Sequence, residues 1–429
     1  MSLPAKPDIA YRSVALTERR YRAPLLLITS LFFLWALGVN LNDILIPHLK
    51  KAFRLTDLQS SLIQTAFFGG YFLAALPAGW LMGRIGYKKG ILAGLMICSA
   101  GALLFIPAAS VLVYGFFLFA LFVMACGQSF LEVAANPYVT ILGPAQSAER
   151  RLNLCQSFNS VGAVVTPVIG AAFILTDKQS VSVEEANSVK VPYLLIAGVF
   201  LAVAALIYFT RFPEITPAVA HGDLPPAQPK LRQALEYPHL VRGVVAQFLY
   251  VGAQVGVASF VIRFAEFVGP GTTDKTAADY LKLHLLGFMI GRFAGSAMMK
   301  YIPAPRLLFS FGMGAGVCAI AALTLSGRIP IWAVVLIGFF HSIMFPTIFA
   351  LSIKGLGPYT KLGSSFLVMA IIGGAIFPAL MGYISDRVNI QKAFAVPLLC
   401  YAYILYFSLK GYRQAGVANS ATRWVLETQ

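Results

Sequence analysis

The sequence predicts an all-α membrane protein with twelve transmembrane helices in two six-helix halves around a central cavity. Three observations carry this prediction. Only 12% of the 429 residues are charged and 58% are hydrophobic, whereas a soluble domain carries about 25% charged residues. Apolar stretches of about 20 residues, the length of a membrane-spanning helix, recur along the whole chain. Short motifs of the first half also return in the same order in the second.

Twelve apolar stretches are predicted to cross the membrane. In chain order they are 24–46, 60–82, 90–109, 112–140, 154–175, 192–211, 242–267, 278–299, 306–326, 329–353, 362–385 and 391–410. The first stretch is too long for a signal peptide, is polar at its far end and lacks a small-residue cleavage site. We therefore expect it to remain attached as the first span.

The distribution of positive charge predicts the orientation of the chain. Of the 33 Lys and Arg residues, 21 fall on the side that holds both termini and 10 on the other. This is the positive-inside bias, and it predicts cytoplasmic termini in a multi-pass protein of the inner (plasma) membrane. The net charge of +16 therefore reflects topology, and a nucleic-acid partner is not expected.

The five cysteines indicate neither disulfides nor a metal site. Each lies in or beside an apolar stretch, and their positions are 98, 126, 155, 318 and 400. Such spacing forms no disulfide framework and no metal-ligand pattern. We expect no metal and no cofactor.

A Pro-rich polar connection, 212–241, divides the chain into an amino-terminal half, 1–211, and a carboxyl-terminal half, 242–429. The halves echo each other in order: "FLWALGVN" and "FLYVGAQ", then "GYFLAALPAGWLMGRIGYKKG" and "GFMIGRFAGSAMMKYIPAPR", then "TPVIGA" and "FPALMG". Repeated halves that enclose a midplane site are typical of secondary transporters.

The segment "GWLMGRIGYKKG" is a basic, glycine-rich hairpin between the second and third spans. It resembles the loop signature of the major facilitator superfamily, with Gly83 at the acidic position of the fuller pattern. Such a hairpin lets helices pack closely and form breakable contacts on the cytoplasmic side.

Four spans each carry a stripe of polar side chains on one helical face. They are Asn40 and Asp43 in the first span, Gln128, Glu132 and Asn136 in the fourth, Gln156 and Asn159 in the fifth, and Gln247, Tyr250 and Gln254 in the seventh. An intramembrane amide also serves as contact between helices. Two intramembrane carboxylates are expensive, and they indicate a functional site.

Glu132 lies well inside its span and is the stronger of the two carboxyl candidates. Asp43 has an alternative place outside the bilayer, because Pro47 and His48 follow it closely. A buried carboxyl that gains and loses a proton suits proton coupling, and amides that donate and accept suit a ligand covered in hydroxyls. The nearby aromatic residues are Trp35, Phe130, Tyr138 and Phe158, for each of which packing is the simpler role and sugar stacking the alternative.

The sequence resembles the fucose:proton symporter family of the major facilitator superfamily. The segments that carry the resemblance include "FLWALGVNLNDILIPHLKKAF", "LEVAANPYVTILGP", "RLNLCQSFNSVGA", "QFLYVGAQ", "IGRF", "FPTIFALSIKGLG" and "GSSFLVMAIIGGAIFPALMGYISD". The resemblance implies alternating-access import of a hexose. It also implies proton coupling and sugar contact at Asp43 and Glu132, and sugar contact at Asn40, Gln156 and Asn159, with Asn136 as a neighbour.

Two departures from the family pattern concern the substrate. Phe345 stands where fucose transporters have Tyr, and Ala258 where they have Trp. The segments "IPHLKK", "GYKKG" and "AANPYV" are closer to the glucose/galactose branch, although Glu132 favours proton coupling. Glucose, galactose, mannose and N-acetylglucosamine all remain candidate substrates, and sodium is the alternative coupling ion.

Four further ionisable residues lie within or beside the spans. His284 and His341 are predicted to be neutral and bonded to backbone carbonyls. Arg292 is predicted near the cytoplasmic side of the eighth span, paired with an acid or extended toward the surface. Arg263 is expected at the outer end of the seventh.

A sugar:cation symporter is the interpretation that the sequence favours. A drug or lipid exporter would have an apolar, aromatic cavity, against which the polar stripes argue. A membrane enzyme lacks support, because no paired-His metal site, nucleophile elbow or phosphate loop is present. A sugar sensor remains an alternative, although connection 212–241 is too short for a signalling domain. Nothing in the sequence requires more than a monomer in the lipid bilayer.

Overall fold

The computed structural model describes the backbone of residues 14–52, 57–111, 113–173, 190–213, 231–269 and 271–414. The side chains of 38–39, 41–52, 57–61 and 167–173 lie outside this description.

The described chain is helical and contains all twelve predicted spans. The first six are Arg22–Ala52, two within Asp57–Val111, Tyr114–Ile141, Ala148–Phe173 and Lys190–Phe209. The seventh to ninth are Pro238–Val268, Asp274–Met298 and Ala304–Thr324. The tenth consists of Ile329–His341 and Met344–Ile353, the eleventh of Thr360–Met369, Ala370–Ile372 and Gly373–Arg387, and the twelfth of Lys392–Phe394, Ala395–Tyr406 and Phe407–Gly411.

Nine described segments are long and apolar enough to cross a membrane, and one of them, Leu62–Val111, is long enough for two crossings. The fifth and eighth spans are helices that fall outside these nine. Both begin in charged residues and carry buried polar side chains, among them Gln156 and Arg292. In the eighth span the polar residues Lys282, His284 and Arg292 lower the apolarity, whereas the fifth span is described in full only before residue 167.

The basic hairpin between the second and third spans turns at Gly86. Its φ of 80° is a conformation that residues with a Cβ rarely adopt, and glycine adopts it without strain. Lys88 Nζ donates to the carbonyl oxygens of Tyr208 and Thr210, 2.9 Å from each, at the end of the sixth span. A cation at a helix carboxyl terminus satisfies carbonyls that have no helical partner.

The third and fourth spans approach closely because small residues face each other. A Cβ added at Gly101 would lie 2.5 Å from the Met124 nitrogen, and one at Gly127 would lie 2.5 Å from the Cys98 nitrogen. Without water to drive association, helices in lipid associate through such backbone proximity. This contact fixes the depth of Glu132, which follows Gly127 by more than one helical turn on the fourth span.

The predicted connection 212–241 is described only at its ends. Residues 214–230 lie outside the described part of the chain. A short helix, Leu231–Leu235, precedes the seventh span, which begins at Pro238, four residues earlier than predicted. The division at 1–211, 212–241 and 242–429 remains a prediction.

Candidate functional site

A cavity of about 210 Å³ lies between the first six and the last six spans. We call it the central cavity, and both groups of spans contribute residues to its wall. Its lining residues are Phe32, Trp35, Asn40, Phe67, Phe68, Tyr71, Glu132, Gln156, Asn159, Val251, Gln254, Val255, Arg292, Phe345 and Ile371. Six of the residues predicted from the sequence are therefore brought together here: Trp35, Asn40, Glu132, Gln156, Asn159 and Gln254.

Glu132 presents a carboxyl group to the central cavity from the second half of the fourth span. The residue is 7% exposed, and its Oε2 atom is buried without a hydrogen-bond partner in the protein. Arg292 lines the same cavity. The described ion pairs do not include one between these two residues, so the carboxylate is not held in a direct salt bridge.

A chain of hydrogen bonds orients the aromatic wall. Trp35 Nε1 donates to Tyr71 Oη at 2.9 Å, and the Tyr71 hydroxyl donates to Gln128 Oε1 at 3.2 Å. Gln128, one of the predicted polar residues, is fully buried behind Tyr71 and does not line the cavity. Its role in this structure is to hold the tyrosine hydroxyl in place.

The amides of the amino-terminal spans divide into cavity-lining and supporting groups. Asn40 Nδ2 donates to the Ala36 carbonyl at 2.7 Å, and Asn159 Nδ2 donates to the Phe32 carbonyl at 3.2 Å. Both amides line the cavity, and each NH2 group donates one hydrogen bond to the protein backbone. Their oxygens have no protein donor among the described hydrogen bonds, and an oxygen of this kind accepts from a hydroxyl.

Asn136 is fully buried and supports Gln156 instead of lining the cavity. Gln156 Nε2 donates to Asn136 Oδ1 at 2.8 Å. This bond fixes the orientation of the Gln156 amide and leaves its oxygen available. The polar stripe predicted on the fourth span thus has one residue at the cavity, Glu132, and two behind the cavity wall, Gln128 and Asn136.

The seventh span places only one of its predicted polar residues at the cavity. Gln254 lines the wall, whereas Gln247 and Tyr250 are fully buried. Tyr250 Oη donates to the His341 carbonyl at 2.9 Å. Gln254 is thus the cavity amide of the carboxyl-terminal spans.

Arg292 has different partners from those predicted. It is 4% exposed and lines the central cavity, and it neither extends toward the surface nor forms an ion pair. Its Nε donates to the Ser342 carbonyl at 3.1 Å, and its Nη1 donates to the Gln156 carbonyl. The Ser342 carbonyl belongs to the tenth span, so this acceptor could not be predicted from the sequence of the eighth span.

The two buried histidines differ in their partners. His284 Nδ1 lies 3.0 Å from the Val334 carbonyl, as predicted. His341 Nε2 lies 2.7 Å from Tyr401 Oη, so its partner is a side chain and not the predicted carbonyl. Arg263 is exposed at the far part of the seventh span.

Most of the aromatic candidates pack away from the cavity. Tyr138 stacks on Phe212 with ring centroids 5.7 Å apart, and Phe158 is 40% exposed. Trp35 alone among the four lines the cavity. The aromatic residues that sequence reasoning missed are Phe32 on the first span and Phe67, Phe68 and Tyr71 on the second. In apolar spans nothing separates them from packing residues.

Asp43 belongs to the helix Arg22–Ala52, but its side chain lies outside the described residues. No contact of its carboxyl group is therefore assigned.

Four hydrogen bonds between described residues join the two groups of spans on the face where the odd-numbered spans begin. We call this the terminal face. They are Lys354 Nζ to Glu149 Oε1 at 2.8 Å, Asn153 Nδ2 to Thr347 Oγ1 at 3.1 Å, Ser296 Oγ to the Arg150 carbonyl at 3.4 Å, and Lys361 Nζ to the Met82 carbonyl at 2.9 Å. These contacts hold the two groups of spans together on the terminal face.

Comparison with known proteins agrees with this architecture. Residues 28–361 match the family model described as Major Facilitator Superfamily. The chain is 45% identical over 398 residues to a glucose/galactose transporter of Brucella abortus biovar 1 (strain 9-941), covering 92% of this chain and 95% of that protein. It is 42% identical over 422 residues to the L-fucose-proton symporter of Escherichia coli (strain K12), covering 93% and 96%.

A solved structure shares the fold. The crystal structure of the transporter FucP in the outward conformation matches with a TM-score of 0.84 at 40% identity, covering 92% of this chain and all of that one.

Proposed function

The chain belongs to the fucose:proton symporter family of the major facilitator superfamily, and on that premise we propose that it imports a hexose-type sugar by proton symport. The observation that carries the proposal is the Glu132 carboxyl, which lines a central cavity together with four amide side chains. The protein is a multi-pass membrane transporter, as its relatives are, and not an enzyme.

The cavity chemistry suits a sugar. The side-chain amides that line it are Asn40, Gln156, Asn159 and Gln254. Trp35 from the first span and Phe345 from the tenth add aromatic surface. A cavity with a few oriented polar groups on a largely apolar lining is typical of small-ligand sites. Amide oxygens accept from sugar hydroxyls, and aromatic faces cover the apolar side of a pyranose.

Glu132 is the residue we propose for proton coupling. A charged side chain at the bilayer centre costs several kcal/mol, and the buried Oε2 atom has no donor to offset this cost. Protonation removes the charge, so the loaded transporter changes conformation more readily than the deprotonated one. Asp43 remains the second candidate of the same kind on the first span.

The substrate we propose is a glucose- or galactose-type hexose. Phe345 lines the cavity without the hydroxyl that a tyrosine would add. The 45% identical relative is named as a glucose/galactose transporter, and Phe345 and Ala258 depart from the fucose pattern. That the substrate is a hexose and that it is glucose or galactose are separate proposals. Uptake of a panel of labelled sugars, described below, tests the second.

Orientation, organisation and assembly belong to the same proposal. We place both termini in the cytoplasm because 21 of the 33 Lys and Arg residues lie on their side. The two six-helix halves, 1–211 and 242–429, rock about the central cavity while linker 212–241 joins them. A monomer in the lipid bilayer contains the complete cavity and suffices for the cycle.

The experiment is uptake of a panel of labelled sugars into proteoliposomes with an inward pH gradient and without sodium. We expect accumulation of at least one hexose, and a protonophore should abolish it. Accumulation that requires sodium would replace proton coupling with sodium coupling. Sugar binding without movement under either gradient would contradict transport and favour a sensor.

A further inference from the structure

The tenth span is interrupted beside the central cavity. Its helix ends at His341 and resumes at Met344. Pro346 follows the interruption by one turn. In a continuous helix the Ser342 carbonyl would accept from the nitrogen of residue 346, but proline carries no N–H. The sequence therefore frees a buried carbonyl at this point.

Two side chains from neighbouring spans donate to buried carbonyls at the interruption. Tyr250 Oη donates to the His341 carbonyl at 2.9 Å, and Arg292 Nε donates to the Ser342 carbonyl at 3.1 Å. All of these groups are buried, and a buried carbonyl without a donor costs about 1–3 kcal/mol. The interruption is thus stabilised from the seventh and eighth spans and not by the tenth span itself.

The same guanidinium also crosses to the other group of spans. Arg292 Nη1 donates to the Gln156 carbonyl on the fifth span. Gln156 and Arg292 both line the central cavity, and so does Phe345, three residues beyond Ser342. One rigid, planar group therefore contacts the interrupted helix, the opposite half and the cavity wall.

We propose that Arg292 is a positioning residue that couples the occupied cavity to bending of the tenth span. Its planar guanidinium donates to the Ser342 carbonyl and to the Gln156 carbonyl at the same time, which fixes the two backbones relative to each other. When the cavity wall moves, Arg292 therefore moves the interrupted part of the tenth span with it. The inference rests on the proposed transport function, and it assigns Arg292 to conformational change and not to sugar contact.

The proposal separates binding from turnover. Loss of the guanidinium frees the Ser342 carbonyl and the tie to the fifth span, but leaves the four cavity amides in place. Arg292→Gln should therefore lower the maximal transport rate about tenfold or more, as expected for a buried acceptor left without a donor. Sugar affinity should change less than about threefold, since no direct ligand is lost. Arg292→Lys should recover only part of the rate, because an ammonium cannot reproduce the fork.

Pro346→Ala supplies the decisive comparison. Alanine restores the N–H that a continuous helix offers to the Ser342 carbonyl, so the helix closes and Arg292 loses its specific acceptor. We expect slower turnover with unchanged sugar affinity. The double variant Arg292→Gln/Pro346→Ala should be no slower than the slower single variant, because the Ser342 carbonyl that Pro346→Ala affects is one of the two carbonyls that Arg292→Gln already leaves without the guanidinium.

The experiment measures equilibrium sugar binding, transport at saturating sugar and hydrogen–deuterium exchange of residues 339–347 for these variants and for Arg263→Gln. Arg263 is exposed and serves as the matched control. The expected result is faster exchange in Arg292→Gln, slower exchange in Pro346→Ala, and an unchanged control.

A sugar affinity at least tenfold weaker in Arg292→Gln with an unchanged maximal rate would overturn the proposal, because Arg292 would then be a sugar ligand. Additive effects in the double variant would also overturn it. The exchange measurement needs no substrate, so it tests the coupling to the tenth span even if no hexose is transported. If Arg292→Gln does not fold, Arg292→Lys and Pro346→Ala give the same comparison.

Discussion

Glu149 and Lys354 form an ion pair, with Nζ and Oε1 2.8 Å apart, that links the start of the fifth span to the end of the tenth. The Glu149 side chain is 7% exposed and the Lys354 side chain 50%. The pair lies on the terminal face together with the hydrogen bond between Asn153 and Thr347. These two contacts hold the fifth and tenth spans together on the terminal face.

Removing one charge of this pair should favour the state that is open on the terminal face. For Glu149→Gln we expect a shift of about 1 kcal/mol, or roughly fivefold, because one partner remains half exposed. The measurement is the labelling rate of a cysteine introduced on the terminal face, at low and high salt. The exposed pair Asp279–Lys282 provides the control Asp279→Asn. Equal labelling in both variants would contradict a gating role.

The hydroxyl of Tyr71 should matter for sugar binding although it serves mainly to orient its neighbours. Tyr71→Phe removes the acceptor of Trp35 Nε1 and the donor to Gln128 Oε1. We expect about 3–10-fold weaker binding, the usual cost of a lost buried hydrogen bond. Quenching of tryptophan fluorescence by the sugar reports the affinity. Tyr383→Phe, at a residue 59% exposed, should bind as the wild type does, and a matching loss there would make the effect non-specific.

Asn136 should act on the sugar only through Gln156. Asn136→Ala leaves the Gln156 amide without its acceptor at 2.8 Å, and we expect about 5–10-fold weaker binding. In a double-mutant cycle with Gln156→Ala the two effects should be strongly non-additive, because one bond is removed twice. Additive effects would mean that Asn136 contacts the sugar independently.

Close packing of the third and fourth spans should make Gly101 sensitive to a single methyl group. Gly101→Ala places a Cβ 2.5 Å from the Met124 backbone nitrogen, so the helices must move apart. We expect a loss of about 1–3 kcal/mol, as for overpacked cores, seen as a lower midpoint of thermal unfolding in detergent. Gly198→Ala, where an added Cβ meets no atom within 4 Å beyond the backbone of its own helix, should be neutral. A similar loss in both variants would show that helix glycines in general set the stability.

The sequence predicts the spans and the cavity amides well because both follow from one-dimensional patterns. Apolar length gives each crossing, and helical spacing places Glu132 on an inward face. Spacing cannot give depth, however, so Gln128 and Asn136 share the stripe of Glu132 and yet lie behind the cavity wall. Partners from other spans are also invisible in a single helix.

Arg292 shows this limit most clearly. Its acceptors are carbonyls of Ser342 and Gln156, and only the fold brings those carbonyls to it. Pro346 was the available signal, since a proline within a span frees one carbonyl of the preceding turn. The aromatic wall of the second span carries no such signal, because Phe67 and Phe68 are indistinguishable from packing residues in sequence.

The central claim is that Glu132 couples the proton to the sugar, and the most direct test compares counterflow with accumulation for Glu132→Gln. Glutamine keeps the size of the neutral acid and cannot release a proton. We predict sugar exchange across the membrane at a rate within about threefold of the wild type, and no accumulation under an inward pH gradient. Glu266→Gln, at an exposed residue of the seventh span, should accumulate normally. Accumulation by Glu132→Gln that still depends on the pH gradient would contradict the account.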